Sequence, residues 1–142
     1  MRKVPILAGS AFIALALGLS AQNVHGHGDV QPQAVDTTGL ESLGADWKDA
    51  NPYRGNAKAI EIGTSGYAQN CARCHGLQIV SGGLAPDLRY LDKGQEGDTW
   101  YLERVRKGAI INGVTKMPSF EGTLSQEALW AIRSYIEANH EG

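Results

Sequence analysis

Cysteine is nearly absent: the 142-residue chain has two, Cys71 and Cys74, and neither lies near the N-terminus. No disulfide framework can be built from them, and a domain of this length buries enough surface to fold without one. A lipid anchor on an N-terminal cysteine has no residue to use. Basic residues are neither abundant nor clustered, 13 Lys and Arg against 15 Asp and Glu, so nucleic acid is not an expected partner.

Long hydrophobic runs are also missing. The one candidate, roughly Val4 to Leu19, follows Arg2 and Lys3, is interrupted by glycine and serine, and gives way to small residues. It is short for a membrane span and has the layout of a secretory signal. Residues 1–26 are read as a leader, cut somewhere between 20 and 26, and its loss takes the formal charge from -2 to about -4. Soluble export without a membrane anchor is expected.

Strand signals and internal repeats are lacking too, with nothing that reads as a β-hairpin or a βαβ unit, so the fold class is all-α with long loops. Residues 27–55 form an irregular extension rich in Gly, Pro, Asp, Asn and Gln, which Trp47 and Tyr53 should pin to the body. Residues 56–142 form the domain proper. A helix is predicted from Asn56 or Ala57, placing Ile60, Gly63, Tyr67, Cys71 and Cys74 on one face at i, i+3, i+7, i+11 and i+14. Residues 76–93 hold Gly82, Gly83 and Pro86 and read as a loop long enough to need something to wrap. A short helix follows, with Asp98 as its N-cap, Leu102 and Val105 inward and Gly108 as its stop. The last helix starts near Ser125, has Glu127 in its first turn, and runs to about Ala138 on an apolar stripe of Leu129, Ile132, Tyr135 and Ile136.

Both cysteines fall in one pentad, Cys71-Ala72-Arg73-Cys74-His75, which matches the C-x-x-C-H pattern of covalent haem attachment. Two thiols one helical turn apart can add to two vinyl groups of a haem, and the adjacent imidazole then reaches the iron along its axis. A thioredoxin-like redox pair sits after a strand at a helix start; here a helix runs into the motif instead. Zinc needs four ligands, and outside the N-terminal tail the chain offers Cys71, Cys74, His75 and the terminal His140. Export fits the haem reading, because c-type haem is attached outside the cytoplasm. With Met1 lost in the leader, Met117 is the one remaining thioether and the candidate sixth ligand, 42 residues after His75 in "KMPSF" with Pro118 stiffening the backbone beside it. A gap-filling core role is the alternative for that methionine.

With Cys71 to His75, Pro86-Asp87-Leu88 and Met117-Pro118, residues from roughly Asn56 to Asn139 resemble the small monohaem cytochromes c. The resemblance implies a cytochrome c fold of three to five helices, with long loops wrapped around one covalently bound haem c and its iron. It implies that Gly63 and Tyr67 pack against Tyr135, that the Pro86 carbonyl accepts the Nδ1 proton of His75, and that Leu88 packs on the haem. The family's common Gly-Pro stands here as Ala85-Pro86. More narrowly, "NPYRGNAKAIEIGTSGYAQNCARCHG", "GGLAPDLR" and "MPSFEGTLSQEALWAI" are similar to the periplasmic cytochromes c that accept electrons from quinoprotein ethanol dehydrogenases.

The resulting expectation is a periplasmic electron carrier, not an enzyme. Its donor is a quinoprotein alcohol dehydrogenase and its acceptor a cytochrome oxidase or another cytochrome. A monohaem cytochrome serving another dehydrogenase or oxidase, and a haem protein that binds or senses a small ligand, stand as alternatives. Arg89, Trp100 and Tyr101 could donate to haem carboxylates or serve ordinary surface and core roles.

Overall fold

A computed structural model describes residues 31–142; the leader expected over 1–26 lies outside the described residues. Four helices and one small hairpin follow in chain order: α1 (Ala57–Asn70), α2 (Ala72–His75), α3 (Gly94–Lys107), β1 (Ala109–Ile111), β2 (Val114–Met117) and α4 (Gln126–Ala138). Two single 3₁₀ turns, Leu77–Ile79 and Leu88–Tyr90, punctuate the loop between α2 and α3.

Helix α1 starts where its cap allows. The Asn56 side chain accepts the backbone N–H groups of Lys58 and Ala59 at 2.9 and 3.1 Å, satisfying two donors that lack helical partners. Helix α4 starts likewise at Ser125, whose hydroxyl accepts from Ala128 N at 3.2 Å. These two helices cross in direct backbone contact: a Cβ placed on Gly63 would lie 1.9 Å from Ala131 O, and one on Gly66 would lie 3.0 Å from Ile132 Cγ1. Tyr67 and Tyr135 meet beside the crossing with ring centroids 5.3 Å apart, as the resemblance implies. Ile62, Leu129, Ile132 and Ile136 close the core there, each contributing about 1.5–3 kcal/mol by burial. Gly63→Ala is therefore expected to cost about 3 kcal/mol or more, the upper end of overpacking, because the obstructing atom is backbone and cannot swing aside. Chemical denaturation of the holoprotein measures it, and a change under about 1 kcal/mol would refute direct helix contact.

Three features depart from the sequence expectation. A hairpin is present: Ile110 and Ile111 pair antiparallel with Thr115 and Val114, around a turn at Asn112-Gly113 with φ of 52° and 75°. Asn-Gly suits this two-residue turn because both positions need positive φ. Helix α3 begins at Gly94 rather than Asp98 and has 14 residues. Asp98 is not its cap but a fully buried carboxylate, accepting from Arg133 Nε at 2.8 Å, Arg54 Nη2 at 2.5 Å and Asn51 N at 2.8 Å.

Helix α4 is buried nearly all round rather than along one stripe, because residues 31–55 lie against its outer side. These residues contain no helix or strand. They are tied down by polar bonds: Leu43 N to Glu127 at 2.9 Å, Gln126 Nε2 to Gly44 O at 2.8 Å, and Asn51 Nδ2 to Ser134 Oγ at 2.9 Å. Tyr53 is buried, and Trp47 is half-buried with the Arg106 guanidinium 4.6 Å from its ring centre.

Candidate functional site

Both thiols and the imidazole sit on one turn of helix. Helix α1 ends at Asn70, the chain bends at Cys71 (φ -117°), and α2 restarts immediately. Cys74 N and His75 N both donate to Cys71 O, at 3.1 and 3.0 Å. Cys71 and Cys74 are free thiols, each half-buried. Burial, with Cys74 adding to it, pushes the Cys71 thiol up to about 12. A redox-active C-x-x-C pair needs a depressed thiol pKa, and Cys71 has the reverse.

The imidazole is oriented. His75 is 9% exposed, and its Nδ1 lies 2.9 Å from Pro86 O. A carbonyl only accepts, so Nδ1 carries a proton, and in the neutral ring Nε2 is then the nitrogen whose lone pair can bind a metal. The carbonyl is held in turn by a braced loop. Asp87 accepts from Ser81 N at 3.3 Å and from Arg89 N at 3.1 Å, and forms a two-point ion pair with the Arg89 guanidinium at 3.0 and 2.8 Å. Leu88, next along, is buried in the core.

Hydrogen bonding from the Arg89 guanidinium holds the Asp87 carboxyl well below its ordinary 3.8. A carboxyl lowered in the folded state contributes stability above its unfolded value and loses it as pH falls through the lowered value. Acid should therefore loosen residues 81–89 below about pH 4, and Asp87→Asn should flatten that part of the acid-unfolding curve. Identical curves for the two proteins would show that the brace carries no stability.

Met117 closes β2 and is half-buried against the same core cluster that Cys71 touches. Beyond His75 and before Met117 the chain exposes large apolar side chains: Leu77, Leu84, Ile110, Ile111 and Val114. Of the three candidate carboxylate donors, Arg89 is engaged by Asp87 and Glu141. Trp100 faces solvent with the Arg104 guanidinium 5.3 Å from its ring centre. Tyr101 is buried and donates to Leu129 O at 2.7 Å.

Among the described residues no three His, Cys, Asp or Glu side chains converge on a site for a bare cation. A porphyrin iron asks less of a protein, since the ring supplies four ligands and the chain two. Two thiols one turn apart, an imidazole whose Nδ1 is already engaged, and a thioether at the end of a strand fit that demand.

The sequence pattern of the family described as cytochrome c oxidase, cbb3-type, subunit III matches residues 58–136. The chain is 54% identical to cytochrome c550 of Pseudomonas aeruginosa, over 99% of this chain and 94% of that protein. It is 30% identical to a quinohemoprotein alcohol dehydrogenase of Pseudomonas putida over 60% of this chain, which is 12% of the dehydrogenase. A quinohemoprotein alcohol dehydrogenase of Comamonas testosteroni is 36% identical over 55% of this chain and 11% of its own length. No solved structure matches. On a family pattern spanning more than half of its residues and an alignment with cytochrome c550 over nearly its full length, the chain belongs to the c-type cytochromes, electron-transfer proteins rather than enzymes, and carries one covalently bound haem c with its iron.

Proposed function

We propose that Cys71 and Cys74 carry the thioether bonds to the haem, that His75 Nε2 and the Met117 sulfur are its axial ligands, and that the chain is a soluble periplasmic carrier between a quinoprotein alcohol dehydrogenase and a cytochrome oxidase or another cytochrome. The observation that carries the site assignment is the 2.9 Å contact between His75 Nδ1 and Pro86 O. It leaves Nε2 as the coordinating atom, fixes the ring plane and raises the basicity of the ligand. When bound, the haem supplies a one-electron ferric–ferrous couple. Met117, as a thioether, favours the ferrous state relative to a second nitrogen ligand and so raises the potential. With His75 and Met117 both held to the iron, no position on it would stay open to peroxide or dioxygen.

Export rests on the N-terminal layout of Arg2, Lys3 and the apolar run, with the leader over 1–26, the extension over 27–55 and the haem domain over 56–142. Among the described residues no helix is long and apolar enough to cross a membrane. The donor is inferred from the dehydrogenases that include, within one chain, a segment 30–36% identical to this one. A cytochrome-like segment tethered to a quinoprotein there would correspond to a separate carrier here. Stopped-flow mixing with the reduced quinoprotein alcohol dehydrogenase of the same cell tests the pairing. Reduction should be fast at low ionic strength and slow about tenfold or more at high salt, as for electrostatically steered partners. Slow, salt-independent reduction would remove this donor and leave the carrier.

A further inference from the structure

The end of α3 and the segment that carries Met117 are built against each other. A helix leaves its last carbonyls without intrahelical partners. Here Val105 O accepts Phe120 N at 2.8 Å, and Arg106 O accepts the Ser119 hydroxyl. Gly108 N closes the helix on Arg104 O at 2.8 Å, while Gly108 O accepts Arg104 Nη1 at 3.0 Å. Both residues that follow the Met117-Pro118 pair are thus tied to the last turn of one rigid helix.

Gly108 makes that approach possible. It leaves the helix at φ +70°, a conformation natural to glycine. A Cβ there would lie 2.5 Å from Met117 O, 2.9 Å from Pro118 C and 3.0 Å from Ser119 N. All three obstructing atoms are backbone, so a side chain at 108 could be accommodated only by moving the Met117-Pro118 chain itself. The register adds to the effect. Met117 pairs with Ala109, and the ladder is irregular between Ala109 and Ile110, a local bulge of the kind that re-aims a side chain.

From this we infer that Gly108 is a positioning residue for the Met117 thioether: the close approach of α3 fixes the backbone of residues 117–120 and thereby sets where the sulfur sits. The inference rests on Met117 as the sixth ligand, proposed above. The hairpin contains its own control, because Gly113 has a nearly equal φ of +75° but nothing within 4 Å of its Cβ position. Substituting alanine at either site puts a side-chain-bearing residue at a positive φ of 70° or 75°; Gly108→Ala alone adds a collision with the Met117 backbone, and the ψ of -158° at that position adds to its need for glycine.

The experiment compares exported, haem-loaded full-length protein with its Gly108→Ala and Gly113→Ala variants. Three readings are taken: covalent haem content, the near-infrared sulfur-to-iron band of the oxidised form, and carbon monoxide binding by the reduced form. Gly108→Ala should keep its haem, lose the band and bind carbon monoxide stoichiometrically, while Gly113→Ala keeps the band and excludes the gas. A band retained in Gly108→Ala, or lost equally from both variants, overturns the inference. Should Gly108→Ala fail to accumulate, Ser119→Ala removes the hydroxyl tie without adding bulk. It should lower the temperature at which the band disappears while the helical circular dichroism signal persists; an unchanged temperature overturns the inference. A band missing from the unmodified protein would instead defeat Met117 ligation, and this inference with it.

Discussion

Asp98→Ala is expected to destabilise the protein by about 3–5 kcal/mol, the usual penalty for removing one partner of a buried ion pair. Asp98 and Arg133 have fully buried side chains and meet at 2.8 Å. Alanine would leave the Arg133 guanidinium in the core with no counter-charge; its Nη2 would keep only Asp92 O, at 2.6 Å. Its Nη1 already has no partner among the described residues, so the site has little left to compensate with. Asn51 N would lose its acceptor as well. The loss is a large share of the 5–15 kcal/mol that folds an ordinary domain. Arg54→Ala supplies the contrast. That side chain is 42% exposed, so solvent screens its pairing, and its removal should cost about 1 kcal/mol or less. Urea titration of both variants measures the difference, and equal losses would show that the buried pair has no special weight.

Met117→Ala is the second large effect. Removing the thioether should abolish the sulfur-to-iron band, open one axial position to carbon monoxide or cyanide, and lower the reduction potential, with haem still attached. No other methionine is present to replace it, since Met1 is the chain's only other one. Retention of covalent haem matters to the reading, because it separates loss of a ligand from loss of the fold. If the unmodified protein bound carbon monoxide rapidly and stoichiometrically, a ligand-binding or sensing role would displace the carrier.

What could be read in advance was local. Asn56 and Ser125 announce their helices because a cap acts on backbone donors two or three residues away. The spacing of Cys71, Cys74 and His75 is one helical turn, and Gly63, Tyr67 and Tyr135 follow from the resemblance. The hairpin does not show in the sequence although Asn112-Gly113 is a turn signal, because strands of three and four residues are too short to show alternation. Asp98 reads as a cap because a capping aspartate and a buried, ion-paired one look alike until the partner is known, and Arg133 lies 35 residues away. The extension carries no period at all. Its bonds to Glu127 and Ser134 span 84 and 83 residues, and such ties leave no mark on neighbouring positions. At Gly108 the helix stop can be read from the sequence, whereas the Met117 backbone lying against it cannot.

One haem bonded through both Cys71 and Cys74 would be visible in peptide mass spectrometry of the exported chain, made in a host that assembles c-type cytochromes. A single peptide spanning Cys71 to His75 should carry the mass of one haem and have no thiol left to alkylate. An unmodified peptide with two alkylatable cysteines would contradict that bonding.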